Sequence, residues 1–174
     1  MTRWLFLLIF LFTIGAALIY AYVGGFKTPT VTVTTTKTPI FLAGQAFEGS
    51  ANDERFGPLF RSVKEAQDRG QLRGELANIY YNDPAKARDT VRAFIGLVVA
   101  DTVSQQLPAG YRYRTFGAGQ RVVQARTTAS YLVAPNKLYP AITDAVKQQQ
   151  LKPKHVYLER FPEQGESEVL AVVE

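Results

Sequence analysis

Hydrophobic and polar positions fall into distinct regimes along the chain. From Trp4 to Phe26 no charged residue interrupts 23 positions, of which 19 are apolar. As a helix rising 1.5 Å per residue this stretch spans roughly 35 Å, enough to cross a hydrocarbon core about 30 Å thick. Gly24, Gly25 and Pro29 break the run, which sets an N-terminal transmembrane anchor at 1–26 and a linker at 27–29. From Thr30 the period falls to two. Residues 30–36 are β-branched with Val31 and Val33 on one face, Pro39 interrupts, and Ile40, Phe41 and Leu42 resume; this predicts one long kinked strand or two strand pieces. Ser50, Asn52 and Asp53, within the polar run 48–54, offer caps for a helix over 56–69. Its apolar positions Phe56, Leu59, Phe60, Val63 and Ala66 gather on one face, and Gly70 ends it.

Two strands are predicted next, over 75–81 and 90–99, joined by the turn-forming Asn82, Asp83 and Pro84. The order then recurs. Alternating stretches lie over 111–128 around Gly117 and Gly119, and Pro135 opens a helix with Leu138, Ile142, Ala145 and Val146 at helical spacing. Strands over 155–161 and 168–173 flank a turn over 162–166 that contains Gly165. Each half, about 30–100 and 111–174, reads as β-α-β-β. The predicted fold class is therefore α+β: a transmembrane helix, then a domain over 30–174 built of two such units about a pseudo-twofold axis with a central cleft.

Much of the 47% apolar content sits in the first segment, and the 148 residues from Lys27 onward have the aromatics and β-branched residues of a folded domain, which excludes intrinsic disorder. With no Cys, disulfide frameworks, thiolate metal sites and thiol nucleophiles are excluded; His155 has no second His or Cys at ligand spacing and reads as a surface residue, so no metal or cofactor is expected. The 20 Lys and Arg against 15 Asp and Glu give a charge of +5, yet Arg112, Arg114, Arg121 and Arg126 are spread along an alternating stretch and form no phosphate-tracking run. Nucleic acid is not an expected partner. A cleaved secretory signal competes with the anchor reading, but the apolar stretch exceeds the roughly 7 to 15 residues of a signal core. Trp4, Tyr20 and Tyr22 suit the two membrane interfaces. Arg3 on one side and Lys27 and Lys37 on the other leave the orientation open.

Several segments together resemble the gyrase-inhibitor-like (GyrI-like) small-molecule-binding family. Phe56-Gly57-Pro58-Leu59-Phe60 opens the first helix and Ile79-Tyr80-Tyr81-Asn82-Asp83-Pro84 follows the next strand. In the second half Gly117-Ala118-Gly119-Gln120 is read as lying on the first strand and Glu159-Arg160-Phe161-Pro162 on the strand after the helix. The resemblance covers about 30–174 and rests on the order of these pieces along the recurring pattern. It implies an open cleft that receives apolar, often cationic organic molecules, with an acidic residue answering the ligand's charge; by position that residue is Glu159. Period two puts Tyr157, Glu159 and Phe161 on one strand face, and two rings beside a carboxylate suit a lipophilic cation. Aligning the halves makes Asn78 the counterpart of Glu159 and Tyr80 that of Phe161, so Asn78, Tyr80, Glu159 and Phe161 are expected on the cleft floor, with Tyr81 pointing away.

Plain structural readings stand beside these. Glu159 could belong to a solvated face or pair with Arg160 or Arg114, and Asn78 could satisfy neighbouring backbone. The chain also departs from the family pattern: apart from Trp4 it has no Trp, which is frequent in such clefts. With no helix-turn-helix before the domain and Glu174 closely following the last predicted strand, neither a DNA-binding module nor a tail-borne motif is expected. The expected function is a membrane-anchored module that captures small lipophilic molecules. The alternatives are a hydrolase using Glu159 as general base with Tyr157 or Tyr80 nearby, and a membrane-tethered protein-interaction adaptor.

Overall fold

The computed structural model describes residues 2–50, 52–83, 90–162 and 164–174. In chain order the elements are α1 (Thr2–Tyr22), β1 (Thr30–Thr35), β2 (Ile40–Gly49), α2 (Phe56–Asp68), β3 (Glu75–Tyr80), β4 (Val91–Val99), β5 (Arg112–Phe116), β6 (Arg121–Thr127), α3 (Pro135–Gln148), β7 (Pro153–Phe161) and β8 (Ser167–Val173). The fold is α+β, with one apolar N-terminal helix and one antiparallel sheet of eight strands. Pro84 and Glu163, within the two expected turns, lie outside the described residues. The α1 helix is long and apolar enough to cross a membrane and none of its span is buried against the rest of the chain.

The strand order is β1-β6-β8-β7-β3-β4-β2-β5. The expected run over 30–42 is thus two strands sent to opposite ends of the sheet: β1 pairs with β6 and β2 with β4 and β5. Each half has the order β-β-α-β-β, one strand more than the expected unit, and its leading strand pairs with the other half. The connections dictate the sheet's shape. Six strand spacings separate β1 from β2, about 29 Å in a flat sheet, but five residue steps from Thr35 to Ile40 reach at most about 18 Å. The same holds for β5 to β6. The sheet must therefore curl until its ends meet, and the two connections hydrogen-bond where they cross: the Thr36 amide donates to the Gln120 carbonyl at 2.9 Å and the Gly119 amide to the Thr36 carbonyl at 2.8 Å. The Thr36 hydroxyl donates to the Gly117 carbonyl at 3.0 Å and accepts from the Gln120 amide at 2.9 Å.

The curl explains how both faces become buried with helices on only one. Inside it, Leu42, Ile79, Phe94, Phe116, Leu158 and Leu170 pack together. Phe116 from the last strand of the order and Val122 from the second share this cluster. Gly44 and Gly96 face each other across β2 and β4, and a Cβ on Gly96 would stand 2.3 Å from the Ala43 carbonyl oxygen. On the outer face α2 buries Val63 and Ala66, and α3 buries Leu138, Ile142 and Ala145. The expected side-chain cap of α2 is absent at its N-cap, Arg55; Asp53 instead accepts the Arg55 amide at 2.9 Å in the preceding turn. His155, exposed as expected, lies in an irregular stretch of β7 with φ +55°.

Candidate functional site

At the middle of the sheet β3 and β7 run side by side, with Asn78 opposite Glu159, Leu76 opposite Phe161 and Tyr80 opposite Tyr157. Alternation turns Leu76, Asn78, Tyr80, Glu159 and Phe161 toward the helical face, where they floor a cavity of about 1330 Å³. Phe60, Arg61 and Lys64 of α2 and Asn136, Tyr139 and Pro140 of α3 form its sides. The loop over 128–131 and the end of α1, through Tyr22 and Val23, complete the rim.

Glu159 is 5% exposed. Its Oε1 accepts the Tyr139 hydroxyl at 2.7 Å and its Oε2 accepts the Asn78 side-chain amide at 3.2 Å. Asn78 therefore serves the carboxylate rather than neighbouring backbone. Among the described residues no lysine, arginine or histidine pairs with Glu159: Arg160 points to the opposite face, where it bridges Glu75 at 2.7 Å and Glu168 at 2.9 Å, and Arg114 lies 5.6 Å from the Phe94 ring centre. The two plain readings of Glu159, a solvated carboxylate and a partner of Arg160 or Arg114, do not describe it. Burial without a counter-ion raises its pKa, against the lowering pull of the Tyr139 and Asn78 hydrogen bonds. Burial, and then the nearby Glu159 charge, raises the phenols of Tyr139 and Tyr80 well above the usual range, so both remain protonated donors.

Four of the expected site residues, Asn78, Tyr80, Glu159 and Phe161, line this cavity. Tyr157 shares their face but not the lining: its ring sits behind Tyr139, with centres 5.6 Å apart, and burial pushes its hydroxyl up to about 12. Tyr81 points to the other face, where it borders a smaller cavity of about 610 Å³ inside the curl. Tyr139 escaped the sequence reading. It follows Leu138 and precedes Ile142 by three positions, at the edge of the apolar stripe, so a polar-tipped aromatic there was the available signal. Pro140, inside α3, cannot donate to the Asn136 carbonyl one turn back, and both residues border the cavity.

The domain is thus a curled antiparallel sheet of eight strands with two helices on its outer face and a buried carboxylate between them. No protein-family model and no curated protein sequence matches the chain. Among solved structures, the fold is similar to EcmrR in a complex with DNA, with TM-score 0.57 and 12% identity over 95% of this chain and 65% of that one. It is similar to SAV2435 bound to tetraphenylphosphonium, with TM-score 0.57 and 10% identity over 83% of this chain and 94% of that one. It is also similar to an integron cassette protein of Vibrio cholerae, with TM-score 0.56 and 9% identity over 85% and 97%. At these identities the likeness is one of fold.

Proposed function

We propose that this chain is a membrane-anchored member of the GyrI-like group, with 1–26 as anchor and a duplicated domain over 30–174, that captures lipophilic organic cations in the cleft between α2 and α3. The observation that carries this reading is a 5% exposed carboxylate with no cationic partner among the described residues, bordering a cavity of about 1330 Å³. A buried charge without a counter-ion is expensive. A bound cation would relieve that cost at Glu159, while Phe60, Tyr80, Tyr139 and Phe161 offer ring faces and apolar area to its organic body. The fold likeness to a protein bound to tetraphenylphosphonium supports the ligand class. The recurrence of β-β-α-β-β, with strand order symmetric about the β7–β3 junction, supports the duplication.

Titration of the full chain in detergent with tetraphenylphosphonium tests the proposal. Binding that is lost in Glu159→Gln, with the melt of the variant still cooperative, is the expected result; equal affinity in both proteins would remove Glu159 from the role. A hydrolase is the second reading, favoured by the 2.7 Å Tyr139–Glu159 hydrogen bond, which places a phenol beside a carboxylate able to act as general base. It predicts turnover of ester substrates that disappears in Glu159→Gln.

A further inference from the structure

The end of α1 does not hang on a loose linker. The Ser130 amide donates to the Val23 carbonyl at 2.9 Å. The Lys27 ammonium donates to the Thr128 carbonyl at 3.2 Å and the Lys137 ammonium to the Lys27 carbonyl at 2.8 Å. Gly24, with φ +81°, lies so close to the β6–α3 loop that a Cβ on it would stand 2.8 Å from the Ala129 Cα. The helix is thus fastened to the rim of the Glu159 cavity, which Tyr22, Val23 and Tyr131 help to line. Around this junction large apolar side chains are left uncovered: Phe26 at 71%, Tyr131 at 67% and Leu132 at 65% exposure.

Resting on the reading of α1 as a membrane span, we propose that the loop carrying Tyr131 and Leu132 lies in the interfacial zone of the lipid bilayer and holds the cavity mouth at headgroup depth. The occupant of the exposed apolar patch is lipid. Continuity with the apolar helix carries the assignment: a span ending at Tyr22 puts that residue at the membrane–water boundary, and the bonds from Val23 and Lys27 bring residues 128–132 to the same level. Tyrosine with an adjacent leucine suits that zone, where amphipathic rings and short apolar side chains gain from partial insertion. A cleft opening there would draw on molecules dissolved in the bilayer, which is where lipophilic cations concentrate.

The absence of native cysteine makes site-specific labelling direct. Three single-cysteine variants of the full chain, Ile14→Cys, Leu132→Cys and Thr38→Cys, would carry an environment-sensitive fluorophore in phosphatidylcholine vesicles with brominated acyl chains. Thr38 is exposed and follows β1, a strand's length from the junction. Quenching at position 14 by deep bromines, quenching at position 132 by shallow bromines, and none above background at position 38 are expected. Quenching at position 14 with position 132 no more quenched than position 38 overturns the loop proposal and leaves the span intact. No quenching at position 14 overturns the span, and with it the proposal.

Discussion

In the proposed receptor Glu159 sets the charge of the cleft, and its protonation follows from where it sits. Its folded pKa is raised above the ordinary 4.5, so between those two values the folded chain holds a proton that the unfolded chain has released. Stability therefore falls as pH rises through that window, and the penalty is absent below it. Glu159→Gln keeps an acceptor for Tyr139 or Asn78 but cannot ionise. It should therefore be more stable than the parent above the window and indistinguishable from it below, as thermal melts from acid to neutral pH would reveal. Tyr139→Phe acts on the same carboxylate in the opposite sense. Losing a hydrogen bond that favours the charged form raises the Glu159 pKa further, so the pH midpoint for tetraphenylphosphonium binding should move upward; an unmoved midpoint would mean that the Tyr139 hydroxyl is irrelevant to the charge. Of these residues Glu159 was singled out by the family resemblance and Asn78 by aligning the two halves, while strand period two fixed only the face each occupies. Tyr139 was not singled out, because helix periodicity marks the centre of an apolar stripe better than its edge.

Among the elements, the two amphipathic helices were the most legible, since Val63 and Ala66 in α2 and Leu138, Ile142 and Ala145 in α3 occupy the positions their spacing implies. Strands were legible as strands but not as neighbours. Nothing in the run Thr30 to Leu42 says that β1 and β2 lie six places apart in the sheet, because an alternating pattern specifies a buried face and leaves the partner to long-range pairing. The glycines at the bend carry testable weight. Gly96→Ala would bring a methyl to 2.3 Å from the Ala43 carbonyl, and overpacking of this kind costs about 1–3 kcal/mol or more. Gly57→Ala, in α2 with open space around it, should be neutral or stabilising by up to about 1 kcal/mol. Urea unfolding of the pair would show opposite behaviour; equal stabilities would mean that the β2–β4 approach is not close.

For the whole molecule, the curl and the cleft belong together. Short connections at Thr36 and Gly119 force the sheet ends to meet, which buries the inner face on itself and frees the outer face for two helices. The junction of the halves then falls at β3 and β7, where Asn78 and Glu159 stand opposite each other. The net charge of +5 carries little information beside this one buried carboxylate. A receptor built on that carboxylate must discriminate by charge. Tetraphenylphosphonium and tetraphenylborate are close in shape and opposite in charge, and at an effective dielectric constant near 20 a unit charge about 5 Å from Glu159 is worth about 3 kcal/mol. Calorimetric titration of both ions should give binding of the cation at least about a hundredfold tighter than the anion, with the preference abolished in Glu159→Gln. Equal affinity for the two ions in the unaltered protein, or a preference that survives the substitution, would mean that Glu159 is not the cation-recognising group.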